Sequence, residues 1–195
     1  TGTRSPAELY RVEFTQYTAP ETNKWDPPEQ APEGDEKVIF GNLHAHSRCS
    51  FCSGDTNQTV PVHYMYQRDI MRADYMSITD HAYNRDPLNW HNYRKHRHLY
   101  NWPDAFLFLL GFEWTASNLQ VVENTGHYNM HYFGDTDDAG VLAAKDPRQR
   151  APERLWEANA GKDFVTIPHH TADWQHYIDW DHYDDAHAPV VEIFQ

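Results

Sequence analysis

The chain has 195 residues, which suits a single domain with a buried core. Hydrophobic residues make up 39% and aromatic residues 14%, proportions that exclude a disordered chain. The net charge of −13 excludes a broad basic face, so binding to duplex DNA is not expected.

The predicted elements begin after a proline-rich segment. Residues 1–36 are polar, carry five prolines and show no periodic apolar pattern, so we interpret them as an extended N-terminal arm. Residues 37–195 form the predicted domain, in which strand-like and helix-like runs follow one another. The strand-like runs are "KVIFGNLH", "DYMSITDH", "FLFLLGFEW", "GHYNMHYF", "DFVTIPHH" and "PVVEIF". The helix-like runs are residues 61–73, "LNWHNYRKHRHLY" and "APERLWEANAG".

This succession predicts an α/β fold with parallel strands joined by crossover helices. The strands are apolar almost throughout, as expected when both faces of a sheet are covered. An α/β barrel and a doubly wound sheet both fit the pattern. Barrels of this kind take about 250 residues, and the chain stops on the apolar run "VVEIFQ", so the domain is expected to be truncated at its C-terminus.

The cellular location is left open by the sequence. The longest apolar run, residues 105–112, is too short to cross a bilayer, which predicts a soluble protein without a membrane partner. The chain begins at Thr1, which indicates a processed form or a fragment. A cytoplasmic location and export after removal of a signal are therefore both open.

Histidine and acidic side chains follow the predicted strands at their ends. His44 ends the first strand, Asp80 and His81 the second, Glu113 the third, and His169 the strand "FVTIP". The carboxyl ends of parallel strands meet at one edge, so we expect these side chains to share one crevice. His46 lies two residues after His44 and so points to the same side.

Imidazoles combined with carboxylates favour zinc, manganese or iron, and a glutamate can bridge two such ions. Asp80 is expected to hold an imidazole N–H and fix its tautomer rather than to bind metal. The C-x-x-C pair of Cys49 and Cys52 has several interpretations: metal-ligating thiolates, a redox pair, a disulfide or two free thiols.

Five short motifs together resemble those of the PHP family, named for polymerase and histidinol phosphatase domains. They are "NLHAHS", "SITDH", "GFEW", "GHYN" and "IPHH". The resemblance covers residues 38–195 and extends to an uncharacterised bacterial branch of the family through "GFEWT", "PHHTADW" and "VVEIFQ". It implies a distorted (β/α)7 barrel that holds two or three divalent metal ions.

The resemblance also implies a set of metal ligands, with Glu113 as the bridging one. The set is His44, His46, His81, Glu113, His127 and His169. This chain departs from the family in two places. Cys52, with Asp55 slightly later, stands where the family has an aspartate or histidine ligand. The final Asp-x-His motif is imitated by Asp185 and His187, which precede the last apolar run instead of following it.

Three further residues are candidates for the site. His131 lies on the same strand face as His127 and is its alternative as a ligand. His170 could donate a proton or hold substrate, or simply pack beside a ligand. Arg48 could clamp a phosphate through its guanidinium, or face solvent.

The function predicted from these observations is a metal-dependent phosphoesterase. Glu113, His170, Arg48 and Asp80 are the candidate catalytic residues, and the metal ions would activate a hydroxide that attacks a phosphate mono- or diester. The expected substrate is a small phosphorylated molecule or a nucleic-acid end. The alternatives are another barrel-type metallohydrolase, similar to amidohydrolases, and a noncatalytic metal-binding protein. The sequence does not indicate an oligomeric state.

Overall fold

The computed structural model describes residues 38–50, 52, 58–82, 87–102, 105–115, 125–136, 151–173 and 176–193. The predicted proline-rich arm and Asp55 lie outside these ranges, so both stay predictions.

Five strands and three α-helices make up this part of the chain. The strands are β1 (Gly41–Asn42), β2 (Tyr75–Ile78), β3 (Leu107–Thr115), β4 (His127–Tyr132) and β5 (Phe164–His169). The helices are α1 (Val60–Met65), α2 (Pro87–Tyr100) and α3 (Pro152–Ala158). A π-helical turn, Tyr66–Ile70, continues α1, and a short 3-10 helix covers Trp180–His182. Within the ranges described above, no helix is long and apolar enough to cross a membrane.

The five strands form one mixed sheet in the order β1-β2-β3-β4-β5. Strands β1, β2 and β3 pair in parallel, whereas β4 is antiparallel to both β3 and β5. The prediction of a (β/α)7 barrel is therefore wrong: the sheet is a curled half-barrel of five strands, with three α-helices in the part of the chain that can be described.

The connection before the reversed strand β4 is short for a parallel crossover. Residues 116–126 separate β3 from β4, and a parallel crossover needs a dozen residues or more. The predicted last strand is also absent, because residues 189–193 form no strand. They contact the end of β5 through the Glu192 amide, which donates to the Pro168 carbonyl at 3.0 Å.

One face of the sheet, the helix-covered face, carries most of the apolar core. Phe108 packs on Tyr64 of α1 with ring centroids 4.2 Å apart, and Phe112 packs on Trp90 of α2 at 6.4 Å. Trp156 of α3 contacts Tyr128 of β4 at 6.3 Å. Large rings at alternate strand positions thus fix the helices to the sheet, and their burial supplies most of the hydrophobic stabilisation.

The opposite face of the same strands, the histidine face, carries a cluster of polar side chains. The pairing of β3 with β4 sets Glu113 beside Asn129 and Thr115 beside His127, and the pairing of β4 with β5 sets His127 beside His169. Successive side chains of a strand point to opposite faces. The strands that bury the aromatic core therefore also hold the polar residues in fixed register.

Candidate metal centre

The H-x-H segment follows β1 and is hydrogen-bonded to Thr79, the residue directly after β2. The Thr79 amide donates to the Ala45 carbonyl at 2.8 Å, and the Ala45 amide donates to the Thr79 hydroxyl at 3.2 Å. This extended pairing turns Ala45 to one side and His44 and His46 to the other. Both imidazoles consequently reach the edge of the histidine face, as the spacing predicted.

Glu113 lies at the centre of the histidines and is almost completely buried, with 1% of its surface exposed. Its Oε2 lies 3.0 Å from His46 Nε2, 3.2 Å from His81 Nδ1 and 3.9 Å from His44 Nε2. Its Oε1 lies 2.6 Å from His127 Nδ1 and 3.2 Å from His169 Nε2. One carboxylate therefore contacts two sets of imidazoles, three on one oxygen and two on the other.

The antiparallel direction of β4 decides which of its histidines takes part. His127 begins this strand, and the reversal brings that end level with the carboxyl ends of β3 and β5. His131 lies four residues further along, completely buried, with neither ring nitrogen bonded to a partner. The structure thus places His127, not His131, against Glu113.

Proton affinities in the cluster follow from burial and from this carboxylate. Burial alone would raise the pKa of Glu113, but hydrogen bonds from His127, His169, His46 and His81 hold that pKa well below its usual range. Burial lowers the pKa of His127 despite the nearby carboxylate. For His46, the hydrogen bond and charge of Glu113 outweigh burial and raise the pKa. The centre thus keeps an ionised carboxylate beside the imidazoles, and a metal ion that bound there would displace any proton held by His46.

The donor set fits divalent metal ions. An ion bound about 2.0–2.1 Å from each ligand holds neighbouring ligand atoms roughly 3 Å apart, and His44 Nε2 lies 3.1 Å from His46 Nε2. Two ring nitrogens can face each other at this distance either through one hydrogen bond or by directing both lone pairs at a shared ion. Four groups of side chains have ligand atoms within 4.8 Å of one another. They are His44, His46 and Glu113; His127, His169 and His170; His44, His169 and Glu192; and His46, Cys52 and His81.

Three polar residues that the sequence analysis missed orient these imidazoles. Glu192 Oε2 lies 2.9 Å from His44 Nδ1, Ser50 Oγ lies 3.0 Å from His46 Nδ1, and Thr115 Oγ1 lies 2.9 Å from His81 Nδ1. For His44 and His46, the partner on Nδ1 fixes the tautomer and directs Nε2 toward Glu113, whereas Thr115 shares His81 Nδ1 with Glu113. The sequence contained one signal: Glu192 is the single acid within the apolar run "VVEIF". Serine and threonine beside a motif are too common to be informative.

Asp80 does not have the role predicted for it. Its carboxylate accepts hydrogen bonds from the Ser47 amide and hydroxyl, both at 2.6 Å, and from the Tyr93 hydroxyl at 2.5 Å. It therefore anchors the loop after the H-x-H segment instead of holding an imidazole. It acts on the centre by fixing the backbone that carries His46.

The remaining predicted site residues lie at the rim of the centre. Cys49 and Cys52 are reduced thiols rather than disulfide partners, and Cys52 Sγ lies 3.4 Å from His46 Nδ1. Arg48 is exposed, and its amide donates to the Gln58 carbonyl at 2.9 Å. A role for its guanidinium in binding phosphate stays a prediction.

His170 adjoins the Oε1 side of Glu113. Its ring centroid lies 4.8 Å from that of His169 and 4.9 Å from that of His127. Burial and these two neighbouring imidazoles lower its pKa to about 4, so the ring is unprotonated at neutral pH. That state suits a ligand or a hydrogen-bond acceptor better than the proton donor considered above.

The Asp-x-His imitation near the C-terminus lies away from the centre. The His187 ring stacks on Trp156 of α3 at 4.7 Å, and His187 Nδ1 lies 2.6 Å from Asp184 Oδ2. Asp185 and His187 therefore belong to the α3 side of the molecule.

Comparison with known proteins supplies no family for this chain. No protein-family model matches the chain, and no curated protein is significantly similar to it.

Proposed function

We propose that this chain is a metal-dependent phosphoesterase that hydrolyses a phosphate mono- or diester with two or three divalent ions held around Glu113. The observation that carries the proposal is the buried Glu113 carboxylate, whose two oxygens contact separate sets of imidazoles. The resemblance of the five motifs to the PHP family supports the same conclusion.

The ligands divide between the two oxygens of Glu113. His44, His46 and His81 would hold an ion on the Oε2 side, and His127 and His169 would hold another on the Oε1 side. Imidazole and carboxylate donors suit zinc, manganese and iron. When bound, such ions neutralise charge on a phosphoryl group and acidify a water molecule.

The protein's own part is to keep this donor set rigid and correctly charged. Glu192 and Ser50 orient the two imidazoles of the H-x-H segment. Asp80 fixes the loop that follows it. Hydrogen bonds from the histidines keep Glu113 ionised in a buried position. These arrangements reduce the reorganisation needed when a charged substrate binds.

The direct test combines elemental analysis with an activity assay. We expect purified protein to contain about two or three metal ions per chain, and to hydrolyse p-nitrophenyl phosphate or its bis ester. A chelator should abolish the activity, and added metal should restore it. Amide and lactone substrates serve as controls for another class of metallohydrolase. Activity that survives complete metal removal would contradict the proposal, as would tight metal binding with no ester turnover.

A further inference from the structure

A large cavity opens directly beside the candidate metal centre. It has a volume of about 870 Å³, and its walls include His44, His46 and Glu192 from the centre and Val62, Tyr66 and Gln67 from α1 and its π-helical continuation. Sites for small organic ligands typically measure about 300–1,000 Å³. The cavity is therefore the place where the part of a substrate next to the reacting phosphate would lie.

The chemistry of the walls is neutral apart from the centre itself. The amides of Asn42, Gln58 and Gln67 offer hydrogen bonds, and Tyr66 and Val62 offer apolar surface. Among the described residues, no lysine or arginine lines the cavity. Arg68, on the same helical segment as Gln67, is paired with Asp69 through bonds of 2.6 and 2.9 Å.

Glu192 makes the cavity less favourable still for a second anionic group. Its carboxylate belongs to the lining, and Oε2 lies 2.9 Å from His44 Nδ1. A carboxylate or a further phosphate that lies away from the metal centre would meet the Glu192 carboxylate there, with no lysine or arginine among the described lining residues to offset it. A nucleic-acid strand has one phosphate for each nucleotide and is normally bound along cationic grooves.

We infer that the substrate is a small phosphate monoester whose leaving group is uncharged and rich in hydroxyl groups, such as a polyol or a sugar. The inference rests on the proposed phosphoesterase function and selects the small molecule over the nucleic-acid end. In the reaction, a water oxygen forms the new bond to phosphorus and the ester P–O bond breaks. The leaving oxygen takes up a proton, so the products are inorganic phosphate and a neutral alcohol.

The test uses a matched pair of compounds with the metal-loaded protein. Glycerol 3-phosphate and 3-phosphoglycerate have similar size, but the second has a carboxylate where the first has a hydroxymethyl group. We expect glycerol 3-phosphate to bind at least about tenfold more tightly in calorimetry, and to show a kcat/KM higher by a similar factor. A 5′-phosphorylated tetranucleotide should rank with 3-phosphoglycerate.

Two variants of one cavity residue make the test specific. Gln67→Lys introduces a cation into the wall and should reduce the preference for glycerol 3-phosphate. Gln67→Met has similar length without charge and should keep the order of the two compounds.

The outcomes separate this inference from the proposed function. Equal or tighter binding of 3-phosphoglycerate or the tetranucleotide would overturn the inference, and so would failure of all three compounds to bind. Selective binding of glycerol 3-phosphate without turnover would support the assignment of the cavity and count against the phosphoesterase.

Discussion

The two faces of the sheet differ in what their side chains do, although the same strands build both. On the helix-covered face, Phe112 and Trp114 are buried among aromatic rings. On the histidine face, Glu113, between them in sequence, is just as buried but forms polar contacts with His46, His127 and Thr115. One residue of displacement along β3 thus separates a side chain of the apolar core from one of the candidate metal centre. Each face can be disturbed while the other stays intact.

The largest expected effect is on stability, from truncation on the helix-covered face. Phe112→Ala should lower the free energy of unfolding by about 3–5 kcal/mol, because it removes a buried ring and leaves a cavity. Urea unfolding followed by circular dichroism measures this. Leu107→Ala, at the 38% exposed start of the same strand, is the control and should cost much less. Folded Phe112→Ala protein should still bind metal; loss of metal binding would mean that the faces are not separable.

The next largest effect is expected on metal affinity, from substitution of Glu113 on the histidine face. Glu113→Gln keeps the size of the side chain but removes the charge that both sets of imidazoles share. We expect metal affinity to fall at least about 100-fold, equivalent to about 2.7 kcal/mol. Competition with a fluorescent chelator measures the affinity. The free energy of unfolding of the metal-free protein should change less than in Phe112→Ala. Unchanged metal affinity would contradict the central place given to Glu113.

A smaller effect is expected from a residue that acts through a ligand. Glu192→Gln should weaken the orientation of His44 and reduce metal affinity by about 10–100-fold. Glu157→Gln is a matched control, because Glu157 is an exposed acid on α3 that pairs with Arg154. The same chelator competition applies. An equal response of both variants would show that net charge, not orientation, controls the affinity.

The smallest expected effect is on the pH dependence of the free energy of unfolding, and it comes from a buried histidine of the histidine face. Burial lowers the pKa of His131 from 6.5 to about 3. Between these values the unfolded chain takes up a proton that the folded protein excludes, so the free energy of unfolding falls as the pH falls below 6.5. His131→Leu should reduce this slope by about 1 kcal/mol per pH unit in metal-free protein. His91→Leu, at an exposed position on α2, should keep the original slope; a reduced slope there would reject the assignment.

Much of the candidate centre was predictable because its ligands are marked by local patterns. An H-x-H pair after an apolar run, and a glutamate within a long apolar strand, stand out without any knowledge of the fold. The expectation that His44, Glu113 and His169 converge needed only neighbouring strands with their carboxyl ends at one edge, and the half-barrel supplies this arrangement. The centre therefore assembles although the predicted barrel does not form.

The residues that orient the ligands were not predictable, because no local pattern in the sequence marks their partners. Glu192 reaches His44 from 148 positions away in the chain. The position of Asp80 beside His81 in sequence predicts an imidazole as its partner, but the pleat turns the carboxylate toward Ser47 and Tyr93. Contacts between distant segments depend on the path of the chain, which local patterns do not contain.

The sequence by itself determined the chemistry of this protein: strands with an apolar character, a surplus of imidazoles at their ends and one acid in the longest strand. Those features depend only on residue type and on the two-residue period of a strand. The tertiary structure decided the direction of β4, the choice of His127 over His131, and the cavity beside the centre. These depend on connection lengths and on packing between segments far apart in the chain, which no single stretch of sequence specifies.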